Sequence, residues 1–125
     1  MITGSALIVV VDDDYRVLES LESLLEAAGH TVRGFSSGPA LLASDTLTDA
    51  RLVITDVGIP QMDGFALRRH LRQQRPEIPI ILITGRPDYL KRARALDNGN
   101  VPTFSKPFDT GQLLETVARV LQAPH

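Results

Sequence analysis

The side chains with the clearest chemical potential in this sequence stand at, or just after, the ends of short apolar runs. They are Asp12, Asp13, Asp14, Asp56, Thr84 and Lys106. Carboxylates offer hard oxygen ligands, a threonine hydroxyl donates a hydrogen bond, and a lysine supplies a compact positive charge. Together these groups suit the binding of a divalent cation and of a phosphoryl group.

Five short apolar runs are predicted to be β-strands. They are Leu7 to Val11, Thr31 to Phe35, Leu52 to Thr55, Ile80 to Thr84, and a weaker run around Thr103 to Ser105. Three of these runs are nearly unbroken in apolar residues, which is typical of strands covered on both faces of a parallel sheet. Segments with helical periodicity separate the runs, so strand and helix alternate five times. This order predicts an α/β fold with helices on both faces of one parallel sheet.

Capping residues and helix breakers predict where the helices begin and end. The predicted starts are a cap at Asp14, a start near Ser37-Gly38-Pro39, a start at Phe65, a cap at Asp88, and a cap at Asp109 or Thr110. The predicted ends are Gly29 for the first helix, Gln74 for the third and Asn98-Gly99 for the fourth. We interpret Pro60, Asp63 and Gly64 as residues that shape the loop after Asp56.

The predicted sheet places the polar residues at one edge, because ligands of open parallel sheets bind outside the carboxyl ends of the strands. Several carboxylates in one crevice repel each other and require a cation. Oxygen ligands favour Mg²⁺, which commonly bridges to phosphate. Lys106 adds a second positive group, and Thr84 adds a hydroxyl donor. Asp14, by contrast, is expected to cap the first helix rather than bind metal.

Four motifs in this order resemble the receiver domains of bacterial response regulators, the phosphoacceptor domains of two-component signalling. The motifs are Asp12-Asp13 after a strand, the segment Asp56 to Gly64, Ile83-Thr84-Gly85, and Lys106-Pro107-Phe108. The resemblance extends from about Ala6 to Gln122. It implies a single doubly wound, five-stranded parallel sheet with five helices, the flavodoxin-like (βα)5 fold. One domain over residues 1–125, with a core of about 6–122, is expected.

The resemblance also implies roles for individual residues. Asp56 would accept a phosphoryl group from the phosphohistidine of a sensor histidine kinase or a histidine phosphotransfer protein. Asp12 and Asp13 would hold Mg²⁺ together with Asp56 and the backbone carbonyl of Gly58. Phosphorylation would then switch partner or output interactions, and a homodimer that forms on phosphorylation is compatible with such a role. Arg86, which flanks the site with Gly58, is expected to influence the dephosphorylation rate.

Two motif residues complete the implied site, and one position departs from the family pattern. Lys106 would contact the phosphoryl group, its direction set by Pro107 after a cis bond. Thr84 would move to hydrogen-bond the phosphoryl group. Receivers usually carry an aromatic residue three positions before the lysine, where this chain has Thr103. Phe104 follows it and, by strand alternation, is expected to point to the opposite side.

Composition limits the remaining classes of function. The chain has 125 residues, 13 basic and 15 acidic residues, a formal net charge of −2 and no cysteine. A disulfide framework and thiol chemistry are therefore excluded. The slightly negative net charge gives the domain no electrostatic reason to bind nucleic acid or an anionic membrane. The arginines around Arg68 to Arg75 are interpreted as solvated helix faces. The apolar run before Asp12 is too short for a membrane span and lacks a basic leader. We expect a cytoplasmic domain, with Ala123 to His125 a frayed end or a cut edge.

Two alternative functions remain open at this stage. A haloacid-dehalogenase-type phosphatase would use Asp12 as its nucleophile, but Tyr15-Arg16 does not continue that motif and no acidic pair follows Lys106. The other alternative is a receiver that is never phosphorylated and serves only as an interaction module. The favoured interpretation is a phosphoacceptor signalling domain. Such a domain is not an enzyme that acts on a separate substrate.

Overall fold

Strand and helix alternate five times along the chain, which the computed structural model describes over residues 6–122. The strands are β1 (Leu7–Val11), β2 (Thr31–Phe35), β3 (Ala50–Asp56), β4 (Ile80–Thr84) and β5 (Thr103–Ser105). The helices are α1 (Tyr15–Ala27), α2 (Gly38–Ala43), α3 (Gly64–Gln74), α4 (Pro87–Arg94) and α5 (Thr110–Gln122). Short 3-10 turns follow α2 at Thr46–Thr48 and α4 at Leu96–Gly99. The predicted fold class is confirmed.

All strand pairings are parallel, and the strand order in the sheet is β2-β1-β3-β4-β5. The order reverses between β1 and β3, the point where open α/β sheets form their ligand crevice. Val11 at the end of β1 pairs with Thr55, so Asp12 and Asp56 follow at the same height. Thr84 pairs with Ser105, which brings Lys106 to the same edge.

Two apolar layers cover the two faces of the sheet. On one face, Ile8 and Val10 of β1 pack in a cluster that includes residues of α1 and α5. On the other face, Val9 and Val11 pack in a cluster that includes residues of α2, α3 and α4. Because both faces are covered, the central strands are apolar in nearly every position, as the sequence pattern predicts.

The predicted caps of the first and last helices and the predicted start of the second helix are confirmed. Asp14 Oδ1 accepts a hydrogen bond from Arg16 N at 3.0 Å, and Ser37 Oγ accepts one from Ala40 N at 3.2 Å. Of the two alternatives for α5, Asp109 is the cap, since its Oδ1 accepts from Gln112 N at 2.9 Å. These bonds satisfy amide groups that have no partner within the first helical turn.

Both predicted ends of the fourth helix are wrong. Helix α4 begins at Pro87 with Arg86 as N-cap, and Asp88 lies inside the first turn. The reason is that proline has its backbone angle already set for the first helical position. The helix ends at Arg94, before the predicted Asn98-Gly99. The following residues Asp97 and Asn98 have φ of 50° and 55°, in the left-handed region that a helix cannot continue through.

Helix α3 begins at Gly64, one residue before the predicted start, and Asp63 caps it by accepting from Ala66 N at 2.8 Å. A Cβ on Gly64 would lie 2.7 Å from Val57 Cα and 2.8 Å from the Asp56 carbonyl oxygen. Only glycine therefore allows α3 to start this close to the end of β3.

Within residues 6–122, no helix is both long and apolar enough to cross a membrane. The predicted frayed end at Ala123 to His125 lies outside the described residues.

Candidate functional site

Three carboxylates meet at the carboxyl edge of the sheet. One ligand oxygen from each of Asp12, Asp13 and Asp56 lies within 4.8 Å of the other two. Asp12 is 0% exposed and Asp56 7% exposed, whereas Asp13 faces solvent. Asp12 and Asp56 are thus shielded from solvent, whereas Asp13 is open to it. Together they form a set of hard oxygen ligands that leaves room for coordinated water. This donor set fits Mg²⁺.

Lys106 bridges the two buried carboxylates. Its Nζ lies 2.8 Å from Asp12 Oδ2 and 3.4 Å from Asp56 Oδ1. The other oxygen of Asp12 accepts a hydrogen bond from Asp14 N at 2.8 Å. Asp12 is therefore held on both oxygens, while Asp56 has the longer and weaker contact. The peptide bond from Lys106 to Pro107 is cis, as the resemblance implies.

Negative charge is in excess in the cluster of Asp12, Asp13, Asp56 and Lys106. Burial raises the pKa of Asp56, the charges of Asp12 and Asp13 raise it further, and Lys106 only partly opposes them. Burial by itself lowers the pKa of Lys106, but the contacts with Asp12 and Asp56 outweigh burial and leave that pKa raised. One lysine thus does not compensate the carboxylates around it, so the site has electrostatic capacity for another cation.

Thr84 ends β4 beside this cluster and is 1% exposed. Its Oγ1 accepts a hydrogen bond from Arg86 N at 3.1 Å. The backbone of Lys106 also contacts this residue, because Lys106 N donates to the Thr84 carbonyl oxygen at 2.9 Å. Thr84 is therefore hydrogen-bonded to both loops that border the site. The structure thus brings Asp12, Asp13, Asp56 and Lys106 together at this edge, with Thr84 linked to the backbone of Lys106.

Strand β5 carries its aromatic residue on the side away from α4. Phe104 packs against the apolar cluster that includes α1 and α5 residues, which confirms the predicted direction. The hydroxyl of Thr103 donates to the Val101 carbonyl oxygen at 3.0 Å. Position 103 thus supplies neither an aromatic ring nor a side-chain bond to Thr84 among the described residues.

One residue near the site has no counterpart in the sequence argument. Tyr89 of α4 lies beside Gly58: a Cβ on Gly58 would be 3.8 Å from Tyr89 Cε2 and 3.9 Å from Asp56 Oδ2. The Arg86 guanidinium stacks 4.0 Å from the centre of the Tyr89 ring. The position of Tyr89 beside Gly58 depends on how α4 packs, so it is seen only in the tertiary structure.

Comparison with known families decides the class of this protein. The sequence model of the response regulator receiver domain matches residues 8–118. This chain is a response regulator receiver domain. Such domains belong to two-component signalling, which decides against the phosphatase alternative.

Known relatives of this receiver domain are regulators of greater length. It is 35% identical over 118 residues to the response regulator protein TodT of Pseudomonas putida, covering 94% of this chain and 52% of TodT. It is 34% identical over 110 residues to the C4-dicarboxylate transport transcriptional regulatory protein DctD of Rhizobium meliloti, covering 88% of this chain and 24% of DctD. The chain thus spans about half of the first relative and a quarter of the second.

Solved structures of receivers share the fold. The signal receiver domain of an HD domain-containing protein from Pseudomonas fluorescens Pf-5 superimposes with a TM-score of 0.86 at 31% identity, covering 98% of this chain and 90% of that one. A putative response regulator from Chloroflexus aurantiacus J-10-fl gives a TM-score of 0.83 at 30% identity, covering 95% and 99%. The receiver fold is therefore established for this chain.

Proposed function

We propose that this receiver domain accepts a phosphoryl group on Asp56 in a Mg²⁺-dependent reaction. The observation that carries the proposal is the convergence of Asp12, Asp13 and Asp56 within 4.8 Å, with Lys106 bridging two of them. The family supports it, since receivers generally take phosphate from histidine kinases. The donor is a sensor histidine kinase or a histidine phosphotransfer protein.

The transfer uses positioning and charge neutralisation rather than a covalent contribution from many groups. A carboxylate oxygen of Asp56 forms a bond to phosphorus while the bond from phosphorus to the histidine nitrogen breaks. The electron pair of that bond stays on the imidazole, and the product is an acyl phosphate. Asp12, Asp13, Asp56 and the backbone carbonyl of Gly58 would hold Mg²⁺, which when bound neutralises charge on the phosphoryl oxygens.

Lys106 and Thr84 stabilise the negative charge that phosphorylation adds. Phosphorylation adds about −1.5 to −2 charges at a buried position, which is costly without nearby cations or donors. Lys106 Nζ already lies 3.4 Å from Asp56 Oδ1, so it needs little movement to contact a phosphoryl oxygen. The hydroxyl of Thr84, which accepts from Arg86 N, retains its proton to donate to the phosphoryl group.

An apolar hollow beside the acceptor suits the phosphodonor. It has a volume of about 490 Å³ and is lined by Arg16, Val17, Ser20, Lys106, Pro107, Phe108 and Thr110. Tyr15, 70% exposed, begins the same helix. Because Lys106 lines both this hollow and the acidic cluster, a histidine-bearing helix seated here would present its phosphoryl group to Asp56. We infer that α1 and the segment after β5 dock the donor.

The signal leaving the domain is carried by changed interactions of its surface, not by chemistry on a separate substrate. The relative DctD is named as a transcriptional regulatory protein. For this chain, we propose a single receiver domain over residues 1–125 that acts in the cytoplasm, makes no direct nucleic-acid contact, and can pair as a homodimer when phosphorylated.

Intact-mass spectrometry after incubation with acetyl phosphate and Mg²⁺ tests this function. The wild-type protein should gain the mass of one phosphoryl group, and Asp56→Asn should gain none. Asp45→Asn is a matched control, because Asp45 is an exposed aspartate whose side chain caps nothing. No gain in the wild type would favour the interaction module, and a gain in Asp56→Asn would move the acceptor elsewhere.

A further inference from the structure

The crevice around Asp56 is open on the side of Gly58 and bounded there by an aromatic ring. The space that a Cβ on Gly58 would occupy lies in ordinary contact distance of both neighbours, 3.9 Å from Asp56 Oδ2 and 3.8 Å from Tyr89 Cε2. Gly58 itself is exposed, and because it has no side chain this space beside the acceptor oxygen is left unfilled by residue 58. The Tyr89 ring is therefore the next side chain beyond the gap.

Several contacts hold the Tyr89 ring in place. Phe65, which is 3% exposed, meets it edge-on with ring centres 5.9 Å apart and an interplanar angle of 81°. The Arg86 guanidinium covers it at 4.0 Å from the ring centre. Asp88 in turn holds that guanidinium through hydrogen bonds of 2.8 and 3.3 Å. Edge-to-face and cation–π geometries of this kind favour one ring position.

The chemical character of Arg86 and Tyr89 determines how water can approach Asp56 from the side of Gly58. The Arg86 guanidinium pairs with the Asp88 carboxylate at 2.8 Å across the start of α4, so it is directed towards Asp88. The Tyr89 atom that lies within 4 Å of this space is a ring carbon, Cε2, and not the phenolic oxygen, which could accept a hydrogen bond from water. The Tyr89 hydroxyl makes no hydrogen bond with any other residue in the described range 6–122. The ring therefore faces the space beside Gly58 with apolar carbon atoms.

We propose that Tyr89 is a positioning residue that walls the acceptor crevice beyond Gly58 and limits the access of water to phosphorylated Asp56. It thereby lengthens the lifetime of the acyl phosphate. This inference rests on the proposed function of Asp56. Arg86 acts through Tyr89, by holding the ring, rather than by touching the phosphoryl group.

The step that Tyr89 slows is hydrolysis of the acyl phosphate. A water oxygen forms a bond to phosphorus while the bond from phosphorus to the Asp56 oxygen breaks. The electron pair returns to Asp56 as a carboxylate, inorganic phosphate leaves, and the proton from water passes to solvent. Excluding water from the crevice raises this barrier without altering the ligands of the metal.

The half-life of the phosphorylated protein tests the inference. Protein labelled with acetyl phosphate is freed of donor, and the decay of the phosphorylated mass is followed at saturating Mg²⁺. Tyr89→Ala should shorten the half-life by about fivefold, a change well within the effect of one lost side chain on a barrier. Tyr89→Phe should keep the wild-type half-life, because the ring rather than the hydroxyl forms the wall.

A second variant acts in the opposite direction and spares the aromatic packing. Gly58→Ala places a methyl group in the gap at ordinary contact distances, and it should lengthen the half-life. Arg92→Ala is the matched control: Arg92 stacks on Phe65 at 4.0 Å, the same kind of contact one ring further from the acceptor. Its half-life should equal that of the wild type.

Specific results would overturn the inference. An unchanged half-life in Tyr89→Ala would do so, as would equal shortening in Tyr89→Phe or an unchanged half-life in Gly58→Ala. Shortening in Tyr89→Ala that came with weaker Mg²⁺ affinity, measured by NMR titration, would indicate a merely structural role. Failure of the wild type to label at all would overturn the proposed function, whereas a labelled wild type with unaffected variants overturns only the role of Tyr89.

Discussion

Asp56 lies where its surroundings disfavour its negative charge. It is buried at the end of β3, and the carboxylates of Asp12 and Asp13 lie within 4.8 Å. Lys106 contacts it at 3.4 Å but makes its shorter contact, 2.8 Å, with Asp12. The pKa of Asp56 is therefore raised, first by burial and then by its acidic neighbours. A carboxyl group whose pKa is raised by burial and by acidic neighbours is typical of a functional site rather than of a stabilising contact.

This leads to a prediction about stability without divalent metal. The folded-state pKa of Asp56 is raised above the unfolded value of about 3.9. The protonated form thus stabilises the fold below the unfolded pKa, and that contribution is lost as pH rises through the folded pKa. Asp56→Asn should therefore be more stable than the wild type at pH 7, by on the order of 1 kcal/mol, a common size for single substitutions.

Urea unfolding with a chelator present measures this difference. The advantage of Asp56→Asn should shrink when the pH is lowered towards the unfolded pKa, since the wild-type carboxyl then becomes neutral as well. Asp45→Asn, at an exposed site, should match the wild type throughout. A variant less stable than the wild type at pH 7, or an advantage independent of pH, would contradict the assignment of Asp56 as a strained charge.

At the scale of elements, the starts of α3 and α4 differ in how their first amide groups are satisfied. Asp63 caps α3 through a 2.8 Å bond to Ala66 N. Helix α4 has no side-chain cap, because Pro87 occupies its first turn and Arg86 stands at the cap position. The acidic residue that the sequence pattern marks as a cap, Asp88, pairs with Arg86 instead. An acidic residue near a helix start is thus not sufficient to identify a cap.

Alanine substitutions distinguish the two arrangements. Asp63→Ala should lower the free energy of unfolding by about 1 kcal/mol, the usual value of a lost N-cap. Asp88→Ala should cost clearly less, because it removes only an exposed ion pair that water and salt screen. Chemical denaturation at neutral pH gives both values. Equal losses would mean that Asp88 contributes a cap after all.

The direction of the side chains on strand β5 is predictable from strand alternation alone. Alternation along three residues, Thr103–Ser105, correctly predicts that Phe104 faces away from α4. The same alternation leaves Thr103 on the side where receivers usually carry an aromatic residue. Under the proposed function, a change at Thr84 would be passed on through other contacts, and its hydrogen bond from Arg86 N links it to the start of α4.

At the scale of the whole molecule, metal binding should be visible as folding stability. A ligand that binds only the folded state stabilises it by about 2.7 kcal/mol at a concentration one hundred times its Kd. For a domain of this size, such a gain raises Tm by several degrees. Wild-type protein should show this rise with Mg²⁺, and Asp12→Asn should show much less, because it removes a buried ligand oxygen.

Thermal unfolding with MgCl₂ and with NaCl at equal ionic strength separates specific binding from screening. Asp45→Asn should respond like the wild type, since Asp45 lies outside the acidic cluster. An equal rise with both salts, or a full response in Asp12→Asn, would mean that Asp12, Asp13 and Asp56 do not form the metal site.

The sequence by itself determined the five strands, four of the five helix starts to within about one residue, and the edge of the sheet where the polar residues lie. Those features follow from local periodicity and from a rule that holds for any open parallel sheet. Asp12, Thr84 and Lys106 could be placed at one edge without coordinates, because each ends or follows a strand.

Only the tertiary structure decided which of these groups touch and what surrounds them. Lys106 Nζ lies 2.8 Å from Asp12 Oδ2 but 3.4 Å from Asp56 Oδ1, a preference that no sequence pattern records. The wall that Tyr89 forms beside Gly58 depends on how α4 packs on Phe65. Contacts between residues distant in the chain are determined by packing across the whole sheet, which local patterns do not record. The chemistry available at the site was thus readable in the sequence, and its geometry was not.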